Sequence, residues 1–168
     1  MSNTLASVFS HSESDPAILT TASSVPKDLT LSYADLKTQC VRFHQQAESL
    51  FGGPLPVGTV VSSYLPNGLN CLLVFLATTL QRCVAAPLNP AMKQSEVEFY
   101  LEDASSKVFI IPEGVGEDNE GVKAARKLNV AVWTAGWEQG AGIKLAVLNG
   151  EAAKIEGSYQ TIEPQADD

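Results

Sequence analysis

The chain has 168 residues, 45% of them hydrophobic, which suits one ordinary domain with enough apolar side chain to build a core. Its 11 basic and 19 acidic residues leave a net charge of -8, which repels nucleic-acid phosphates and anionic lipid head groups and argues against both as partners. The longest apolar run, Cys71 to Leu80, is interrupted by threonines and falls well short of the ~20 residues a spanning helix needs, so no membrane insertion is expected.

The opening MSNTLASVFS lacks the basic start and apolar stretch of a secretory signal, and Gln165-Ala166-Asp167-Asp168 matches no receptor-read address, so an intracellular location is expected. Cys40, Cys71 and Cys83 agree with that: each sits in an apolar segment outside any CxxC pair and reads as a reduced core thiol.

In chain order, residues 1–16 are polar and read as a loose lead-in, with at most a helical turn around Leu5 to Phe9. Ala17-Ile18-Leu19 and Leu29-Thr30-Leu31 are short strand-like pieces around a turn, which predicts an antiparallel hairpin. Ser32 then starts a helix, with Asp35 placed to complete a capping box and Leu31 to staple against Leu36. Tyr33, Leu36, Cys40, Phe43, Ala47 and Leu50 form one stripe of that helix, which ends at Gly52-Gly53-Pro54.

Thr59 to Tyr64 follow as a β-branched strand, and Pro66-Asn67 cap a second helix running to Gln81. Leu69, Leu72, Leu73, Leu76 and Leu80 form its main stripe, but Cys71, Val74, Phe75 and Ala77 make it apolar nearly all round, so it must be covered on both sides. Val84 to Leu88 is a strand, and a helix from about Lys93 to Ser95 onward points Val97, Tyr100, Leu101 and Ala104 at the core. Lys107 to Ile111 is a strand, Asn119 to Leu128 a helix and Val130 to Trp133 a strand. This alternation predicts an α/β fold with a parallel, doubly wound, flavodoxin- or Rossmann-like sheet over residues 17–135 and an N-terminal β-hairpin. Residues 136–168 read as a weakly structured linker, although Ile143 to Leu148 has strand character.

No residues assemble into a catalytic, cofactor-binding or metal constellation. Cys83 beside Arg82 suggests a cation-activated thiolate, but a nucleophile also needs a base. His11 and His44, the only histidines, lack acidic partners at useful spacing and read as solvated surface residues. Gly114-Val115-Gly116 stands between strand and helix where a phosphate-binding turn would lie. Glu113, Glu117, Asp118 and Glu120 crowd that loop and would repel a pyrophosphate with no lysine expected to offset them, so a mobile acidic surface loop is the better expectation. Glu96, Glu98, Glu102 and Asp103 read as a solvated helix face, and Trp133 and Trp137 as core and rim aromatics.

Leu31-Ser32-Tyr33-Ala34-Asp35-Leu36 resembles the first core motif, L-[ST]-Y-x-[DE]-L, of the adenylate-forming acyl-CoA synthetase, luciferase and peptide-synthetase superfamily. Pro56 to Val61 resembles that family's GD-x-V strand start, Leu65-Pro66-Asn67 its LPN turn, and Phe75-Leu76-Ala77 through Ala86-Pro87-Leu88-Asn89-Pro90 its FLA…GA…PLNP run. Glu96 with Tyr100-Leu101-Glu102-Asp103 is similar to its E-x-x-Y-x-L-E-D helix. Thr59 departs from the usual aspartate, and Gln81-Arg82-Cys83 from the usual basic residue, spacer and glycine; both positions are structural.

The resemblance covers about residues 15–135, and its tone is nearest the fungal and plant peroxisomal group that includes oxalate-CoA ligases. It implies ATP, Mg and CoA as the needs of a full-length parent and a cytoplasmic or peroxisomal location. The family's phosphate loop, [ST]SGTTGxPK, its adenine and ribose site and its catalytic lysine do not occur in these 168 residues. The resemblance therefore transfers scaffold positions only, and the chain is expected to be an N-terminal fragment that binds no cofactor alone. Its partner would be the remainder of its own parent or a full-length relative. A non-catalytic interaction module using an exposed sheet edge, and a free-standing nucleotide binder, are the alternatives.

Overall fold

The computed structural model describes residues 4–21 and 26–150. Ser32 and Asp35 form the predicted capping box: Ser32 Oγ accepts from the Asp35 amide at 3.1 Å and the Asp35 carboxylate accepts from the Ser32 amide at 2.9 Å. From this start helix α1 runs over Tyr33–Phe51 and stops at Gly52, which takes the left-handed conformation (φ 83) that a side chain disfavours. The next orphan amides of α1 are satisfied from the lead-in: Tyr33 N–H donates to Asp15 O and Ala34 N–H to Glu13 O, both at 3.0 Å. His11 stacks on Tyr33 with ring centroids 4.8 Å apart. The expectation of a loose lead-in is thus corrected for residues 4–16, which form a 3-10 turn over Leu5–Ser10 and a strap across the start of α1. Strands β1 (Pro16–Leu19) and β2 (Thr30–Ser32) make the predicted antiparallel hairpin.

The main sheet is built from β3 (Val60–Ser63), β4 (Val84–Pro87), β5 (Val108–Pro112), β6 (Ala131–Glu138) and β7 (Gly142–Val147), joined through α2 (Leu69–Leu80), α3 (Gln94–Asp103) and α4 (Glu120–Lys127). The strand order is β4-β3-β5-β6-β7, parallel except for the β6–β7 pair. Helices α1 and α2 bury one face with Val61, Val108, Ile110, Trp133 and Ala135. Helices α3 and α4 bury the other with Phe109, Ile111 and Val132. Central strand β5 is covered on both faces, which is why its sequence, Val108 to Ile111, is continuously apolar. The doubly wound expectation holds.

Three local expectations change. Helix α2 takes Gly68, not Asn67, as its N-cap residue. On α3 only Val97 and Leu101 are buried, whereas Tyr100 is 44% exposed against Phe99 in an edge-to-face pair. The segment from residue 136 is not a linker as far as residue 150: β6 continues to Glu138 and returns as antiparallel β7. The rest of that expected linker, residues 151–168, lies outside the described residues.

Strand β7 is an edge strand, and α1 supplies several of the hydrogen bonds that a further strand would otherwise make. Gln39 Oε1 accepts from the Ile143 amide at 2.8 Å, and Gln46 Oε1 from the Leu145 amide at 2.7 Å. Gln46 Nε2 and Arg42 Nε both donate to Ile143 O, at 2.9 and 2.8 Å. Gly142, at φ 106, sits so close under the Gln39 amide that a Cβ there would collide with it.

His44, expected at the surface, is 3% exposed and donates through Nε2 to Ala77 O of α2 at 2.7 Å. Burial disfavours the charged imidazolium and holds His44 down at about 4, only partly opposed by that hydrogen bond.

Gln46→Leu should cost about 1–3 kcal/mol in urea unfolding, because it strands the Leu145 amide without a partner. Gly142→Ala should cost at least as much, through backbone strain and the clash with Gln39. His44 is neutral in the folded chain down to about pH 4, whereas the unfolded chain takes up its proton near the ordinary value of 6.5. Stability should therefore be full above about pH 6.5 and fall by about 3 kcal/mol between there and pH 4. His44→Gln, which keeps a donor for Ala77 O, should flatten that part of the pH profile in thermal unfolding scans.

Candidate functional site at the carboxyl edge of the sheet

In an open α/β sheet a crevice opens where two adjacent strands send their connections to opposite faces. Strand β3 leads into α2 on one face, and its neighbour β5 leads into α4 on the other. The crevice therefore lies at the carboxyl ends of β3 and β5. The turn Leu65-Pro66-Asn67 projects there and divides it in two. One cleft, of about 570 Å³, is walled by this turn, the start of α2, Pro112, Ala135 and the β1 residues Ile18 and Leu19. The other, of about 720 Å³, lies between the same turn and the segment Pro87 to Ala91. Tyr64 fixes the second wall by donating its hydroxyl to Met92 O at 2.6 Å, and Asn89 Oδ1 accepts from the Ala91 amide at 2.9 Å to shape the turn after β4.

Among the described residues neither cleft is lined by a charged side chain. Their polar groups are the amides of Asn67, Asn70 and Asn89, the Thr20 hydroxyl, the Cys71 thiol and backbone. Such a surface accepts apolar groups and neutral hydrogen-bonding partners, but its side chains offer no charge to balance a triphosphate and no acid or base for proton transfer. Cys71 is half-buried, and burial pushes its thiol up from the ordinary value.

The residues weighed from sequence lie elsewhere and apart from one another. Cys83 is buried below β4, where desolvation pushes its thiol up to about 11, the opposite of an activated thiolate. Arg82 beside it takes a positive φ of 58 in a turn whose carbonyl accepts from the Gly58 amide. His11 is exposed in the lead-in. Glu96 accepts from the Lys93 amide and caps α3, and Glu98 pairs with Lys127 at 2.6 Å while accepting from Gln94. Those bonds hold Glu98 below the usual carboxylate range. Trp133 is core and Trp137 rim, as expected.

The Gly114-Val115-Gly116 loop lines a shallow cleft of about 350 Å³ against β7. Glu113, Glu117 and Glu120 each have a basic partner, which corrects the expectation of an acidic loop without basic partners. Lys144 of β7 pairs with Glu113 at 2.8 Å, and Arg126 of α4 grips both Glu117 oxygens, at 2.8 and 3.3 Å. The sequence separations hid these partners. The start of α4 is no phosphate cradle, because Asn119 Oδ1 already accepts from the Gly121 and Val122 amides. Among the described residues no group of three or more His, Cys, Asp or Glu is placed to hold a metal ion. Sequence reasoning found the Leu65-Asn67 turn as a motif but missed the part played by Leu19, which reaches the crevice only through the hairpin.

Comparison with known proteins fits this arrangement. The family model for AMP-binding enzymes matches residues 10–168. A probable CoA ligase of Humulus lupulus is 41% identical over 90 residues, which are 51% of this chain and 16% of that protein. The oxalate–CoA ligase of Saccharomyces cerevisiae is 34% identical over 91 residues, 52% of this chain and 17% of its own length. Apo MatB from Rhodopseudomonas palustris superimposes with a TM-score of 0.69 at 23% identity over 98% of this chain and 30% of its own. O-succinylbenzoate CoA synthetase from Bacillus subtilis, in complex with ATP and magnesium, gives a TM-score of 0.64 at 19% identity over 80% of this chain and 33% of its own. At those identities the structural likeness establishes the fold, and the matches span less than a fifth of the curated relatives and about a third of the solved chains. With the family model matched across almost the whole sequence, the chain belongs to the AMP-binding enzyme family and has the α/β fold of the N-terminal portion of its adenylate-forming members.

Proposed function

We propose that this chain is the N-terminal scaffold of an ATP-dependent, AMP-forming carboxylic acid–CoA ligase, and that it does not activate the acid by itself. Family membership over residues 10–168 supports the ligase reading. The observation that carries the division of labour is the uncharged crevice at the switch point. The lysine and hydroxyl-rich loop that would hold phosphates in such an enzyme are not among these residues. ATP, Mg and CoA are then held by sequence of the parent beyond this chain. The likeness to oxalate–CoA ligases of Saccharomyces cerevisiae and Arabidopsis thaliana supports a small carboxylic acid as substrate and a cytoplasmic or peroxisomal setting.

Helix α2 supports the same reading. Leu72 and Phe75 on it are 41% and 38% exposed, and Leu19 of β1, which lines the same cleft as Leu72, is 72% exposed. This face suits a layer contributed by the remainder of the ligase or by a full-length relative. Pairing with another protein through a sheet edge is less well supported, since α1 bonds the outward groups of Ile143 and the Leu145 amide in β7, and β4 ends in Pro87, which has no amide to donate. A free-standing nucleotide binder is disfavoured by the capped start of α4.

Titration calorimetry of the purified chain with Mg-ATP should register no binding, and micromolar affinity would overturn the division of labour. The intact parent should release pyrophosphate from ATP with oxalate or another small carboxylic acid; failure with every acid would overturn the ligase reading. Leu72→Glu with Phe75→Glu should reduce self-association of the isolated chain in sedimentation velocity. The same pair should lower pyrophosphate release by the parent.

A further inference from the structure

The sequence contains two Asn-Gly pairs, Asn67-Gly68 and Asn149-Gly150. We propose that Asn67-Gly68 is a site of spontaneous covalent modification and that Asn149-Gly150 is protected by the fold. In the reaction the Gly68 backbone nitrogen bonds to the Asn67 side-chain carbonyl carbon, and the carbon–nitrogen bond of the side-chain amide breaks. Ammonia leaves, carrying the Gly68 amide proton with it in the overall balance. The resulting succinimide adds one water and opens to aspartate or, through the other carbonyl, to isoaspartate. No electron transfer and no co-reactant besides water is involved.

The step needs a following residue without a Cβ, a nucleophilic amide not engaged elsewhere and a side-chain amide free to swing toward it. At Asn149-Gly150 the last two are denied. The Gly150 amide donates to Val147 O at 2.9 Å, and Asn149 Nδ2 donates to Glu117 Oε1 at 2.9 Å. At Asn67-Gly68 both residues are exposed, and among the described residues neither the Asn67 side chain nor the Gly68 amide has a hydrogen-bond partner. Only the Gly68 carbonyl is anchored, accepting from the Leu72 amide at 3.1 Å.

The product matters because of where it forms. The first turn of α2 holds no acidic residue, so a new carboxylate at position 67 meets the positive end of the helix dipole without a competing charge. An isoaspartyl link would also lengthen the backbone of the turn that separates the two clefts, changing the shape of both.

The test is incubation of the native chain at neutral and mildly alkaline pH, followed by peptide mapping and by methyl transfer with a protein-isoaspartate methyltransferase. Asn67 should convert about tenfold faster than Asn149, with a rate that rises with pH because the attacking amide must lose its proton. In urea the two rates should converge, since the protection of Asn149 is structural. Gly68→Ala should slow conversion at Asn67 about tenfold, with thermal unfolding lowered only by the small cost of alanine for glycine at an N-cap. Its backbone is extended (φ 162, ψ -171), and an added Cβ meets only Pro66 O at 4.0 Å. Equal rates at the two pairs in the folded chain, a difference that persists in urea, or a Gly68→Ala variant that converts as fast as the parent sequence would each overturn the proposal.

Discussion

The outermost strand of the sheet leaves backbone amides and carbonyls pointing away from its only neighbour, and where protein covers them they must find partners or lose stability. In this chain the partners are side chains of the first helix: Gln39, Arg42 and Gln46 lie on one flank of α1 and bond the backbone of Ile143 and Leu145. That flank reaches β7 only if α1 starts at the right residue and in the right direction. Its start is fixed by the Ser32–Asp35 box and by the strap carbonyls of Glu13 and Asp15. The constraint therefore ties residues from about Glu13 to Leu145 into one unit, and it demands a glycine at 142, where Gln39 comes closest.

The same constraint marks where the sequence could be read and where it could not. Helix α1 and strands β3 to β6 were legible because their order is local: a capping box, an apolar stripe, or a run of β-branched residues announces itself within its own segment. Strand β7 was legible only in part: Ile143 to Leu148 has strand character, but Gly136, Gly140 and Gly142 signal a loop, and the α1 side chains that bond its outer edge stand about a hundred residues earlier. His44 reads as solvent-facing for a related reason, and Gln39 and Gln46 stand outside the apolar stripe of α1. A polar side chain gives no local sign that its hydrogen bonds will be made inside the protein, and each of these is buried because a specific distant backbone group meets it. Tyr100 fails in the other direction, since its place on the helical stripe says nothing about whether a neighbour reaches it.

The candidate site was less legible than the fold. Leu65-Pro66-Asn67 stood out as a family motif, but a motif does not reveal that its turn divides a crevice, or that Leu19 from the hairpin forms part of the wall. The acids around Gly114 were visible, whereas Lys144 and Arg126, which neutralise two of them, come from β7 and the far end of α4. Spatial pairing of charges is a property of the sheet order, and only the beginning of that order is local.

Charge is also distributed unequally between the two layers. Helices α3 and α4 carry ion pairs on their outer surface, including Glu98–Lys127 and Glu117–Arg126, as suits a layer that faces water. Helix α2, on the other layer, has no charged residue from Leu69 to Leu80 and shows Leu72 and Phe75 at the surface. Fully burying a side chain of this kind contributes about 1.5–3 kcal/mol, so covering the exposed parts of Leu72, Phe75 and Leu19 is worth a few kcal/mol together. A domain of this size has a net stability of only about 5–15 kcal/mol. A covering layer over this face would thus supply an appreciable share of the stability of this unit.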